Sequence, residues 1–334
     1  MKEVRKKVLV TGASGRVGRV LIPKLLERGY AVRALTHKVR LEKTVQKSVE
    51  LVEGTLAKYK TILDAVDGVN MICHLASLMP PGQSREDLST HDDFSIFDVN
   101  VKGTFNLLEA SRHAKELKRF VFASTDATYP TGWSEREYKA PIDEDQPQWP
   151  VLFYGLSKLL GEVACIHYWN IYKIPTVILR FSWIFSSQDV RDPQFILNLF
   201  APKMWLDWMS REDQEKYKDK DVLVAIFEGD GSLYKEHVVD VRDVVQAILL
   251  SLEKDEAVGN IFNIAGPTSF YYEDQASFLA EAFGKPYVKV RCQNLYSYEF
   301  SIARARNFLG YNPQYDIKRM LKEAIAVKKE KLSQ

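Results

Sequence analysis

The sequence predicts a doubly wound, mainly parallel α/β sheet followed by a smaller α/β unit. Three observations predict it: a short apolar run enters a glycine-rich turn that opens a helix, strand and helix signals then alternate, and the alternation stops after Arg180. Val8 to Thr11, apolar or β-branched throughout, read as a buried parallel strand. Val17, Leu21, Leu25 and Leu26 have helical spacing from about Arg16 onward. Strands are expected at Ala31 to Leu35, Val49 to Glu53, Asn70 to Leu75, Arg119 to Ser124 and Thr176 to Arg180, with long helices from about Phe94 to Ala114 and Leu152 to Tyr172. Alternating strands and helices imply parallel pairing through crossover helices. Beyond Arg180 the expected elements are helices at Asp192 to Phe200, Val241 to Leu252 and Tyr272 to Phe283 and strands at Val222 to Glu228 and Ile261 to Ile264. The charged run from Arg211 to Asp221 reads as a solvated face, and the aromatic stretch Trp205 to Trp208 as core or subunit contact rather than a lid.

The turn Thr11-Gly-Ala-Ser-Gly-Arg-Val-Gly18 lies between the first strand and the first helix. Gly12, Gly15 and Gly18 permit positive φ, close approach of backbone to a pyrophosphate, and tight packing of helix on strand. The helix N-terminus, with Ser14, Arg16 and Val17, adds free N–H groups and a partial positive charge. In such a sheet the ligand lies beyond the carboxyl ends of the strands, where Ser77, Thr125 and Phe181 converge on one cleft. Tyr154 and Lys158 follow in Phe153-Tyr-Gly-Leu-Ser-Lys158, and residues four apart on a helix share a face. A positive charge beside a tyrosine favours the phenolate, so Lys158 is expected to lower the Tyr154 pKa. Moving a phenol from about 10 to near neutrality takes about 4 kcal/mol of differential stabilisation.

Composition excludes other classes. A net charge of +2 over 334 residues gives no basic field for nucleic acid. No apolar run of membrane-spanning length is present, and Met1 to Lys7 leads into the first strand without a signal-peptide core, which points to a cytoplasmic protein with no membrane partner. Cys73, Cys165 and Cys292 are dispersed and read as reduced packing residues, with no metal role.

Several further stretches complete a resemblance to the extended short-chain dehydrogenases/reductases, the NAD-dependent epimerase/dehydratase family. They are Asn70-Met-Ile-Cys-His-Leu-Ala-Ser77, Asn100-Val-Lys-Gly-Thr104 and Arg119-Phe-Val-Phe-Ala-Ser-Thr-Asp-Ala-Thr-Tyr129, in the family's order with Tyr154 and Lys158. The likeness covers nearly the whole chain. It implies a Rossmann domain over residues 1–185, with 237–264 returning to it, and a smaller substrate-binding domain formed by 186–236 and 265–334. It further implies that Tyr154 exchanges a proton with a substrate hydroxyl or carbonyl, that Lys158 lowers the tyrosine pKa together with a cationic nicotinamide and holds ribose hydroxyls, and that Thr125, or second Ser124, stabilises the same oxygen. Asn100 would brace the helix carrying Tyr154 and Lys158. Leu75, Ala76, Ser77 and Phe181 join the glycine turn as cofactor contacts, and the two long helices imply a homodimer.

Where the chain departs from the family pattern, it bears on cofactor and substrate. The second strand ends in Thr36-His37-Lys38 instead of an acid, with Arg16 and Arg40 nearby, which favours NADP over NAD. Thr55 stands where relatives often have an aspartate near the adenine. Asp126 matches the sugar-nucleotide dehydratases, but Ala127 replaces their second acid, which argues against 4,6-dehydration. Glu236 stands where the 4-epimerases carry a diphosphate-gripping arginine, with Lys235, Arg242 or Arg291 as substitutes, and Trp183 replaces an asparagine. A sugar-like substrate without a nucleotide diphosphate is therefore expected, contacted by Met79, Asp126, Trp183, Asn198 and His237. Three functions are consistent with these residues: an NAD(P)-dependent dehydrogenase/reductase first, an epimerase that retains its NAD second, and a redox-sensing NAD(P)-binding protein third.

Overall fold

A computed structural model describes residues 5–37, 41–79, 92–132, 141–185, 204–220 and 222–332. Its main sheet has seven strands: β1 (Lys7–Thr11), β2 (Ala31–Thr36), β3 (Glu50–Glu53), β4 (Met71–His74), β5 (Arg119–Thr125), β6 (Thr176–Phe181) and β11 (Ile261–Ile264). They lie in the order β11-β6-β5-β4-β1-β2-β3, with every pairing parallel. The order reverses between β1 and β4. The carboxyl ends on either side of that switch are where the glycine turn and the Ser77 segment emerge.

Strand periodicity divides the core into two faces. Val8 and Val10 join a cluster with Leu21, Ile22 and Leu25 of the Arg16–Glu27 helix and with Val244, Val245 and Ile248 of the Val241–Glu253 helix. Leu9, between them, turns the other way onto Ile62, Leu107, Leu108 and Cys165, from helices Tyr59–Val66, Gly103–Ser111 and Phe153–Tyr172. Covering both faces is why the central strands read as unbroken apolar runs. The three cysteines are free and buried.

Smaller strand pairs extend this frame. They are β7 (Trp183–Phe185) with β10 (Val238–Asp240), β9 (Lys235–Glu236) with β12 (Phe270–Tyr271), and β8 (Leu223–Glu228) with β13 (Tyr287–Cys292). β13 was not expected from the sequence. It alternates, with Val290 and Cys292 buried and Lys289 and Arg291 exposed, and it pairs in parallel with β8. The expected helix from Phe94 to Ala114 is also corrected. It runs from Asp93 to Ser111 and widens into a π-helical segment at Phe97–Lys102, which carries Asn100. π-Segments frequently sit at functional sites. The expected helix at Asp192 to Phe200 lies outside the described residues. The charged run forms a helix, Arg211–Tyr217, with no buried residue, and Trp208 packs partly buried against the main core. Among the described residues no helix is long and apolar enough to cross a membrane.

His74 closes the cofactor-facing end of β4. One ring nitrogen, Nδ1, lies 2.7 Å from the Thr11 hydroxyl and the other, Nε2, 2.9 Å from that of Thr104, so one imidazole ties β1, β4 and the helix after the π-segment. Burial pushes its pKa down to about 3, which keeps it neutral in the folded protein. The unfolded chain binds a proton at this residue below about pH 6.5, so its contribution to stability is lost as pH falls below that value. His74→Gln is expected to flatten the loss of unfolding free energy between pH 6.5 and 5 by about 2 kcal/mol, measured by urea denaturation. Equal losses in the two proteins would contradict this assignment.

Candidate active site

The glycine turn is built for close approach. Gly12 has a φ of +68°, and a Cβ there would stand 2.7 Å from the backbone nitrogen of Ala76. Ala76 N–H in turn donates to the Thr11 hydroxyl at 3.2 Å, so the turn rests on the Leu75–Ala76 segment as expected. The next helix begins at an N-cap, Gly15, that offers no side-chain cap, and its first turn holds no acid. Unpaired N–H groups and an uncompensated dipole are what an anionic pyrophosphate requires. Arg19, not singled out from the sequence, donates to the Ser14 carbonyl at 2.8 Å. Arg16 lies close by, with its guanidinium donating to the Ile184 carbonyl. Thr36 and His37 end β2 beside this turn; Lys38 lies outside the described residues.

The Phe153–Tyr172 helix brings Tyr154 and Lys158 to the end of β5. Gly155 makes this possible: any Cβ there would collide with the carbonyl of Ala127, so only glycine lets the helix settle on the turn after β5. Lys158 is buried and donates to the Ala123 carbonyl at 2.8 Å. One turn further, Glu162 accepts from Ser124 and from Arg180, whose guanidinium nitrogens lie 2.8 to 3.1 Å from its oxygens. Tyr154, Lys158 and Glu162 thus stand at i, i+4 and i+8 along one seam. Glu162 escaped the sequence reading, although this spacing was available to find it.

Thr125 and Ser124 are separated by the strand. Successive residues of β5 face opposite sides. Thr125 lies on the Tyr154 side, where it lowers the phenol pKa while its own hydroxyl donates to Asp126 at 3.0 Å, whereas Ser124 is buried and committed to Glu162. The second candidate is therefore corrected: Ser124 belongs to the buried ion pair, not to the Tyr154 oxygen. Ser77 also lies near enough to the Tyr154 phenol to lower its pKa. Asn100, on the π-segment, is buried. Its Oδ1 accepts from Leu78 N–H at 2.7 Å, and its Nδ2 donates to the Leu78 carbonyl at 2.9 Å and to Ser157 Oγ at 3.0 Å. Ser157 then donates to the Tyr154 carbonyl at 2.7 Å, which gives the bracing contact expected of Asn100.

Electrostatics correct one expectation. In the protein by itself the Tyr154 phenol is not lowered; burial pushes it up to about 12, and Asp126 adds to the rise, against the lowering influence of nearby Ser77 and Thr125. Lys158, one helix turn beyond it and buried, is pushed down to about 8 by desolvation, with Cys165 and Glu162 opposing. The phenol therefore awaits a further positive charge. Asp126 is buried, and its pKa is pushed up to about 7, by burial first.

Among the expected substrate contacts, Met79 is exposed and Trp183 sits half-buried at the start of β7, packed against the main core. Asn198 lies outside the described residues. His237 is corrected. It is buried, its Nε2 lies 3.0 Å from the Gly266 carbonyl, and its Nδ1 accepts from Phe300 N–H at 3.2 Å. Stacked on Phe300 with both nitrogens used, it has nothing left for a substrate. Phe181, at the end of β6, is buried. Two of the three substitutes for the missing arginine are occupied: Lys235 pairs with Glu299 at 2.7 Å and Arg242 with Asp240 and Glu323 at 2.8 Å each.

The sequence pattern of the NAD dependent epimerase/dehydratase family matches residues 8–265. This chain belongs to that family and is a nicotinamide-dependent enzyme of the extended short-chain type. It is 28% identical over 333 residues to a putative UDP-glucose 4-epimerase of Methanocaldococcus jannaschii, covering 95% of this chain and 97% of that protein. It is 32% identical over 208 residues to a uronate dehydrogenase of Pseudomonas putida, covering 62% and 68%. A short-chain dehydrogenase/reductase superfamily protein of Agrobacterium tumefaciens, crystallised with bound NAD, superposes with a TM-score of 0.81 at 29% identity over 98% of each chain.

Proposed function

We propose that the enzyme oxidises or reduces one hydroxyl- or carbonyl-bearing carbon of a sugar-like substrate, with Tyr154 as acid/base. The observation that carries this reading is that the helix seated by Gly155 on the Ala127 carbonyl brings Tyr154 and the buried Lys158 to the carboxyl end of β5, where Thr125 stands. The cofactor is NAD(P), held by Gly12, Ser14, Gly15, Arg16, Val17 and Gly18 at the pyrophosphate, by Thr36 and His37 at the adenosine ribose, by Leu75 to Ser77 and Phe181 along the cleft, and by Lys158. When bound, the nicotinamide supplies the acceptor or donor of hydride and a positive charge in its oxidised form. Tyr154 takes the hydroxyl proton as the carbon is oxidised and returns it in the reverse direction. Thr125 has one proton to give. With Asp126 ionised, that proton is held by the 3.0 Å hydrogen bond to Asp126; with Asp126 protonated, it is released towards the Tyr154 and substrate oxygens.

The absence of an acid at Thr36 and the presence of Arg16 and Arg19 beside the turn support NADP over NAD. Residues 186–236 and 265–334 form the substrate-binding part, and 1–185 with 237–264 the nucleotide-binding part. The second reading, an epimerase that retains its NAD, draws on the M. jannaschii relative across 95% of the chain. Against a nucleotide diphosphate stand Glu236, buried where an arginine would be needed, and the ion pairs of Lys235 and Arg242. Exposed Leu156, Leu160, Val163 and Ile166 form an apolar stripe on the Phe153–Tyr172 helix, beside exposed Phe97 and Phe105, and a second copy of the chain fits it. The free, buried cysteines suit a reducing compartment, the cytoplasm.

Tyr154→Phe is expected to cut turnover by about 10² to 10⁴, with NADPH binding unchanged and tighter than NADH binding in both proteins. Surviving activity refutes the acid/base role, and tighter NADH binding refutes the cofactor order. Sedimentation equilibrium is expected to give twice the 38.4 kDa chain mass, and Val163→Glu the mass of one chain. A wild-type monomer removes the dimer from the account.

A further inference from the structure

The carboxyl end of β5 has a strand neighbour on one side only. Pairing with β4 runs from Arg119 to Phe122 and stops there, whereas pairing with β6 continues through Ala123 and Ser124 to Thr125. The chain after β4 packs against Gly12 instead, which opens the cleft beside β5. Yet this half-supported stretch seats the Lys158 ammonium. Lys158 Nζ donates to the Ala123 carbonyl at 2.8 Å and lies 5.1 Å from the centre of the Phe122 ring, also on β5. An ammonium has three donors, so two are left among the described residues for ribose hydroxyls, and where they point follows the Ala123 carbonyl.

Glu162 supplies the support that β4 does not. Ser124 and Arg180 are register partners across β5 and β6, and the Glu162 carboxylate accepts hydrogen bonds from both, those from Arg180 at 2.8 to 3.1 Å. It also accepts from Gln148 at 3.0 Å, on the segment that leads into the Phe153–Tyr172 helix. Gly161 allows this approach, because a Cβ there would stand 2.5 Å from the Phe122 ring. One buried carboxylate thus laces the helix to both strands and to the chain before Tyr154. We propose that Glu162, acting through Ser124, is a positioning residue that holds the end of β5, and with it the carbonyl seating Lys158, where the ammonium meets the cofactor ribose. This role rests on Lys158 as the ribose contact and adds to it a side chain sealed from the cleft. Small displacements matter there, since a shift of about 1 Å at a reacting site can cost about 10²-fold.

Binding alone tests this, on the full chain, with NADP⁺ and with 2′-phospho-ADP, a probe that ends at the pyrophosphate and never reaches Lys158. Ser124→Ala releases the strand while keeping the Glu162–Arg180 pair whole, so no buried charge is left unpaired. By calorimetry, Lys158→Met is expected to weaken NADP⁺ binding by about tenfold and Ser124→Ala by about fivefold, with 2′-phospho-ADP binding held within about twofold in both. Glu162→Gln is expected to show the same split, and Ser124→Ala decides the matter should that variant not fold. Equal weakening of both probes in Ser124→Ala, as a general loosening of the fold would give, overturns the positioning role. If Lys158→Met weakens NADP⁺ binding and Ser124→Ala does not, only the positioning role fails. If Lys158→Met leaves NADP⁺ binding unchanged, the reading of Lys158 as the ribose contact fails and the positioning role falls with it.

Discussion

The seam between the Phe153–Tyr172 helix and the end of β5 is the constraint on which the site depends. Gly155 lets the helix sit directly on the Ala127 carbonyl, Lys158 is anchored to the Ala123 carbonyl, and Glu162 holds Ser124 and Arg180. Three successive turns of helix are thereby fixed to β5, to the turn that follows it and to β6. Removing one partner of a buried ion pair such as Glu162–Arg180 costs about 3 to 5 kcal/mol, so the seam is held by more than apolar contact. Tyr154 is placed by this seam, and Asn100 fixes the same helix from the opposite side through Ser157.

Electrostatics give the seam its chemical meaning. Burial alone would leave the phenol unreactive, since it raises the Tyr154 pKa and lowers that of Lys158. The protein supplies the polar neighbours Ser77 and Thr125, which lower the phenol pKa in part, and the Lys158 ammonium one helix turn away, and leaves the remaining stabilisation to the charge of an oxidised nicotinamide. Such an arrangement makes the proton transfer conditional on the cofactor being in place. Asp126 adds a second condition, because its protonation decides where the single Thr125 proton points.

The parallel sheet was legible because strands covered on both faces must be continuously apolar, and the glycine turn because backbone crowding at Gly12 admits no side chain. The Tyr154, Lys158 and Thr125 locus was legible from helical spacing and from family resemblance. Ser124 and Thr125 were ambiguous because adjacent hydroxyls look alike in sequence, whereas the pleat sends them to opposite sides. His237 was misread because a polar residue in an apolar stretch does not reveal that a distant carbonyl at Gly266 and an amide at Phe300 consume it. The Tyr272 and Tyr298 hydroxyls that donate to buried Glu236 lie 36 and 62 positions away along the chain, a separation that no local pattern encodes.

The central claim is that the glycine turn and the Tyr154 seam serve one bound dinucleotide. A crystal structure of the protein soaked with NADP⁺ tests it directly. The account predicts the pyrophosphate on the Gly12–Gly18 turn, the ribose hydroxyls at Lys158, and the nicotinamide ring beside Tyr154 and Thr125. A dinucleotide whose nicotinamide lies away from Tyr154, or a pyrophosphate bound anywhere other than that turn, would contradict it.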